Sequence, residues 1–94
     1  MSIKVRIPTP LRKHTGQKAE VIAEGATIKE VFEHLDRLFP GFRKSLYEED
    51  GTIKRFINVY LDDEDIRYIG SETAPVTSDS IVSIVPAIAG GRRS

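Results

Sequence analysis

The 94-residue chain has no cysteine. That excludes disulfides, thiolate nucleophiles and cysteine-bound metal, and it removes any sign of an oxidising compartment. Charge bias is also lacking: 14 basic side chains meet 14 acidic ones, so the composition carries no nucleic-acid footprint. No apolar run approaches the length of a membrane span, and the chain opens on a strand-like alternation rather than a signal-peptide apolar stretch. These absences predict a cytoplasmic protein with no membrane or nucleic-acid partner. His14 and His34 stand apart, in no metal-ligand or triad spacing, and neither is assigned a role. What is present is ordinary: 39% apolar and 30% charged residues, enough for one domain with one modest core.

Ser2 to Ile7 alternates, with Ile3, Val5 and Ile7 on one face and Lys4 and Arg6 on the other, the pattern of a half-buried strand. Pro8 and Pro10 end it, and a polar, basic loop runs through Gly16. Lys18 to Glu24 reads as a second, weaker strand, with Ala19, Val21 and Ala23 inward and Glu20, Ile22 and Glu24 outward. The two make an antiparallel hairpin. Gly25 breaks the strand, and Thr27-Ile28-Lys29-Glu30 is a capping box: the threonine hydroxyl accepts from the Glu30 amide, and Glu30 reaches back to the cap. Ile28, Val31, Phe32, Leu35, Leu38 and Phe39 follow at helical spacing, a stripe able to cover one face of a sheet. Pro40-Gly41 stops this helix, predicted over 28–39 and roughly 18 Å long.

Phe42 to Tyr47 is either a short helical turn or an irregular connection. Arg55 to Leu61 reads as a strand with Ile57, Val59 and Leu61 on one face and Phe56, Asn58 and Tyr60 on the other. Asp62 to Asp65 is a tight acidic turn, solvated rather than metal-binding because adjacent carboxylates there repel and diverge. Ile66-Arg67-Tyr68 is then a short return strand. Gly70 to Ser80 is polar, pinned through Thr73, Pro75 and Val76, and Ile81 to Val85 is the last, densely apolar strand. Its Val82 and Ile84 are expected to face the helix, with Ile81, Ser83 and Val85 outward. The order strand, strand, helix, strand, short strand, strand is α+β. The first and last strands, richest in β formers, belong side by side and parallel at the centre of a mixed sheet. One main helix on one face of that sheet makes a β-grasp roll; the rival, a ferredoxin-like split βαβ, wants a second full helix.

The domain, residues 1–86, gives way after Pro86 to a tail, residues 87–94, reading Ala87-Ile88-Ala89-Gly90-Gly91-Arg92-Arg93-Ser94. Lacking Cβ, Gly90-Gly91 fits a channel that any side chain would block. A folded body with such a tail points to a carboxyl terminus as the reactive group, although the tail taken alone reads more simply as a frayed end. With Arg92 and Arg93 set aside, 12 basic side chains face 14 acidic ones, a body of net charge −2.

Taken together, these elements resemble the ThiS/MoaD family of small sulfur carriers, which have the ubiquitin-like β-grasp fold, and most of all its branch serving cysteine synthesis. The likeness rests on Ile7-Pro8-Thr9-Pro10-Leu11-Arg12 with His14-Thr15-Gly16, and on the Thr27-capped helix. It rests further on Asn58-Val59-Tyr60-Leu61-Asp62-Asp63-Glu64-Asp65 and, most specifically, on Ile84-Val85-Pro86-Ala87-Ile88-Ala89-Gly90-Gly91. The resemblance implies a protein that is not an enzyme and has no cofactor of its own. An E1-like activating enzyme of the MoeB/ThiF type, using ATP and Mg, would adenylate the Gly91 carboxylate, and a sulfur donor would convert it to a thiocarboxylate. Gly90 and Ala89 form the tail that enters the enzyme.

Three features qualify the likeness. Gly91 is followed by Arg92-Arg93-Ser94, so its carbonyl lies in a peptide bond. Either a protease, of JAMM type by resemblance, cuts between Gly91 and Arg92, or the extension is foreign to the gene product, or the chain has lost the chemistry. Ser78-Asp79-Ser80 stands where the family has Asp-Gly-Asp, which predicts Asp79 in the left-handed region at some strain. Asp62 replaces the usual asparagine, and both suit a turn. Phe56, Tyr60, Ile81 and Val85 are expected to form an apolar patch beside the tail, a docking surface for the activating enzyme; plain cross-strand stacking is the other reading. Two further functions stay open: a covalent modifier joined through Gly91 to lysines of other proteins, and a non-covalent β-grasp binding module. The sulfur acceptor, if there is one, is not named by the sequence.

Overall fold

The computed structural model describes residues 2–86. Five strands are present, β1 (Ser2–Arg6), β2 (Glu20–Glu24), β3 (Ile57–Leu61), β4 (Glu64–Asp65) and β5 (Ile81–Pro86), with helices α1 (Ile28–Leu38) and α2 (Phe42–Leu46). The strands form one sheet in the order β2-β1-β5-β3-β4. β1 and β5 are the parallel pair, with Lys4 opposite Ile81 and Arg6 opposite Ser83, while the other neighbours run antiparallel. This is the expected β-grasp architecture, with the first and last strands side by side.

The core lies between α1 and one face of the sheet. Ile3 and Val5, Val21 and Ala23, Val59 and Leu61, and Val82 and Ile84 are buried from the sheet side; Ile28, Val31, Phe32 and Leu35 meet them from α1. Each such large side chain contributes about 1.5–3 kcal/mol on burial. The short α2 packs against α1 and adds Phe42 and Leu46, both fully buried. Phe32 meets Tyr47 edge-on, ring centroids 6.3 Å apart. The Tyr47 hydroxyl donates to Glu72 at 2.6 Å, and the Arg43 guanidinium covers its ring at 4.6 Å. Burial, and then the Glu72 carboxylate, push the Tyr47 phenol above its ordinary value.

Helix α1 starts where the capping box predicts. The Glu30 amide donates to Thr27 Oγ1 at 3.3 Å, but the Glu30 carboxylate accepts from Ala26, at 2.8 Å, one residue before the cap. A Cβ on Gly25 would lie 2.7 Å from the Val31 nitrogen, so the strand-to-helix corner is too tight for a side chain. The long polar loop is stitched to the same corner, with the Ile28 amide donating to the Ala74 carbonyl (3.1 Å) and the Val76 amide to Ala26 (3.0 Å). Ala74 and Val76 are thereby buried, while Thr73 is exposed.

Several local expectations are corrected. Leu38, expected in the buried stripe, is 47% exposed, because it sits on the stripe's margin at the last residue before the chain turns away. Ala19 is exposed: its carbonyl still accepts from Ile7 (2.8 Å), but β2 begins only at Glu20, after the left-handed pair Gly16 and Gln17. The basic loop contains a 3-10 helix, Thr9–His14, anchored by buried Thr15, whose hydroxyl lies 3.2 and 3.0 Å from the Arg12 and Lys18 carbonyls. The return strand is Glu64–Asp65, and Ile66–Tyr68 is a 3-10 turn, because the Asp65 carboxylate accepts from the Arg67 amide at 2.9 Å and turns the chain. Asp79 is not left-handed; among the described residues the non-glycine ones with positive φ are Gln17, Asp62 and Ser71.

Two outcomes are expected. Val82→Glu places an unpaired charge in the core and lowers stability by more than about 4 kcal/mol, whereas Val85→Glu, on the open face, costs under about 1 kcal/mol. Equal midpoints in urea unfolding contradict that assignment. The second concerns pH. Because the folded state holds Tyr47 protonated above its unfolded value, that contribution is complete below pH 10.0 and is lost as pH rises further. Tyr47→Phe is therefore less stable than the parent by about 1 kcal/mol at pH 8, and the gap narrows by pH 11. A gap unchanged between the two pH values refutes the contribution.

Candidate docking face and tail

Successive residues of a strand point to opposite faces of its sheet. With Val82 and Ile84 buried against α1, β5 turns Ile81, Ser83 and Val85 to the open face. The register sets Tyr60 opposite Ser83 and Asn58 opposite Val85 on β3. On the other flank Arg6 stands beside Ser83 and Lys4 beside Ile81. Beyond them, on β2, come Glu20 and Ile22. One row across the sheet therefore reads Glu20, Arg6, Ser83, Tyr60, Asp65.

The structure brings Tyr60, Ile81 and Val85 together on this face. Val85 is 41% exposed; Tyr60 and Ile81 are half-buried by their neighbours. Phe56 is 58% exposed but does not belong to β3, contrary to the predicted strand start at Arg55. It lies in a turn closed by the Ile57 amide on the Lys54 carbonyl (2.9 Å), and Ile57 faces Pro86. Phe56 thus marks the end of the sheet at which β5 finishes. Ala89, Gly90, Gly91 and Arg92 lie outside the described residues.

Three members of the face were not grouped with the patch from sequence: Lys4, Arg6 and Ile22, the last 56% exposed. Their alternation and the placing of β1 beside β5 were both legible; the register that sets them level with Ile81 and Ser83 was not. The face is accordingly amphipathic rather than apolar. Glu20 serves both cations, its oxygens 3.9 Å from Lys4 Nζ and 3.6 Å from Arg6 Nε, exposed pairs of little energetic weight. At the opposite edge Asp65 and Arg67 form a two-pronged pair, with Nη2 at 2.6 Å from the carboxylate. The Arg67 side chain and then its amide hold the Asp65 carboxyl below its ordinary value.

Asp62 fixes where β5 begins. In the left-handed conformation (φ 58), it donates its amide to the Ile81 carbonyl at 2.8 Å, and its carboxylate accepts from the Ile81 amide at 3.1 Å. Among the described residues no three His, Cys, Asp or Glu side chains gather in a way that could hold a metal. A hollow of about 130 Å³ beside β3, bordered by Ile53, Val59, Ile66 and Arg67, holds no nucleophile next to a base.

A sheet in this order, covered on one face by one main helix and left through its central strand, defines a ubiquitin-like β-grasp protein. The sequence matches the ThiS family over residues 5–91, and the chain belongs to that family. It is 38% identical over 93 residues to the sulfur carrier protein CysO of Mycobacterium tuberculosis, covering 97% of this chain and 100% of that one. The crystal structure of M. tuberculosis CysO superposes with a TM-score of 0.88 at 35% identity, over 92% of this chain and 99% of that one. A chain of the Amycolatopsis orientalis BexX/CysO complex gives 0.87 at 42% identity, over 95% and 99%. Small archaeal modifier protein 1 of Methanosarcina acetivorans shares the fold, with a TM-score of 0.81 at 21% identity over 96% of each chain.

Proposed function

We propose that this chain is a sulfur carrier whose working group is the Gly91 carboxylate. The observation that carries the reading is the match to CysO along essentially the whole of both chains, inside a family match that extends to Gly91. A carboxylate is a poor electrophile. An activating enzyme of the MoeB/ThiF type, supplied with ATP and Mg, joins the Gly91 carboxylate to AMP and releases pyrophosphate. A sulfur donor then displaces AMP and leaves a thiocarboxylate. The carrier contributes no catalytic group and no cofactor; it contributes a docking face and an unhindered end. Extended, the five residues from Ala87 to Gly91 span about 17 Å, enough to carry the carboxylate clear of the sheet. A processing protease of JAMM type exposes that end by cutting before Arg92, and a sulfur-accepting enzyme receives the product.

The reading is tested on two chains, one as given and one ending at Gly91, each mixed with the activating enzyme of the same organism and ATP. Only the shorter chain should release pyrophosphate and, with a sulfide source, gain the mass of an oxygen-to-sulfur exchange. Turnover of the longer chain without cleavage refutes it. Protein isolated from the native cell distinguishes the alternatives by mass: a terminal thiocarboxylate on Gly91 marks a carrier, and Gly91 joined to lysines of other proteins marks a modifier. A native chain that always keeps Arg92 leaves only a non-covalent binding module.

The docking role is tested by affinity for the same enzyme. Phe56→Ala and Val85→Glu should each weaken binding about tenfold or more, as removal of a buried interface anchor does, with the fold intact by circular dichroism. Undiminished affinity in both removes the face from the interface.

A further inference from the structure

We infer that the partner docking on the open face presents a carboxylate to Arg6, and that this contact is a determinant of partner choice. The inference rests on the docking reading above and adds to it the chemistry of the opposing surface. β5, the apolar centre of the face, is flanked directly by β1, whose two outward side chains beyond Ser2 are the cations Lys4 and Arg6. Among the described residues the anion within reach of them, Glu20, is one strand further out and is divided between both, so one positive charge next to the apolar strip has no partner there. Glu24 stands at the far corner, opposite Ser2, and Asp65 is committed to Arg67.

Arg6 is the better placed of the two cations. It shares a row with Ser83 and Tyr60, on the side toward Pro86, whereas Lys4 lies level with Ile81. Its contact with Glu20 is a 3.6 Å approach through Nε and is no hydrogen bond, and its side chain is 56% exposed. The fork of terminal N–H groups makes no hydrogen bond among the described residues and can grip a carboxylate bidentately. A partner seated over β5 and β3 takes water from this guanidinium, and burying it without an acceptor is costly. Ser83, the smallest side chain in the row, leaves the fork open from the β5 side. A second copy of the chain fits poorly, since it brings the same pair of cations.

The experiment is calorimetric titration of the purified activating enzyme with the Gly91-ended chain and its variants. Arg6→Gln should weaken binding about tenfold or more and flatten its dependence on salt; Arg6→Lys, which keeps the charge but not the fork, should recover only part. Glu20→Gln is the control for a purely structural role, because it removes the intrachain partner and leaves Arg6 free; it should bind as well as the parent or better. Arg6→Gln within twofold of the parent overturns the inference, as does Glu20→Gln weakening binding as much as Arg6→Gln. A dimer of the free chain in sedimentation that Arg6→Gln dissolves overturns it too. If Val85→Glu also binds normally, the docking reading has failed and this inference with it; if Val85→Glu binds weakly and Arg6→Gln normally, only the inference has failed.

Discussion

The sheet core and the open face both depend on the seating of β5 between β1 and β3. A strand paired on both edges has no freedom to slide, and its side chains alternate, so one register gives Val82 and Ile84 to the core and Ser83 and Val85 to the open face. A slip by one residue would exchange the two sets. The register is held at its start by Asp62, which exchanges two hydrogen bonds with Ile81 from a left-handed conformation that costs some backbone strain. It is held along its length by the burial of residues that have no other place to go. At its end, Pro86 stands opposite Ile57, beside exposed Phe56.

Stability is thereby assigned to one side of the sheet, and the proposed recognition to the other. Nearly all the apolar burial is on the helix side, where α1, α2 and the stitched loop leave the sheet face covered. The polar bonds there act mainly as fasteners: Thr27 and Glu30 at the helix start, and Tyr47 on Glu72 across the end of the roll. The open side holds weak, exposed ion pairs and partly exposed aromatic and aliphatic groups, none of which the fold requires. Surface of that kind changes at small cost to folding, and for that reason it suits a role in recognition.

The proposed carrier role fits this division. Sulfur carried on a glycine carbonyl needs no cysteine, no base and no metal from the carrier, because activation is delegated to a partner. The carrier has to be a rigid body that one enzyme recognises and that delivers a thin chain end at a set distance. On that proposal β5 supplies both, since a partner docked on its open face also stands at a fixed distance from Pro86.

The sequence by itself determined β1, β2, β3, β5 and the capped helix, because each is written in local chemistry: alternation with period two, and a threonine and glutamate at cap spacing. It also sufficed for the roll, since one strong helix among these strands leaves few ways to cover a sheet. Tertiary structure alone decided three things. Whether 64–68 is strand or 3-10 turn depended on Asp65 binding the Arg67 amide, a side chain competing with a ladder. Tyr47 and Glu72 meet across 25 residues, which no periodicity encodes. And although β1 was expected beside β5, the register that sets Lys4 level with Ile81, Arg6 level with Ser83 and Ile22 beyond Lys4 came only from the pairing itself. Alternation tells which way a side chain points; only long-range pairing tells what stands next to it.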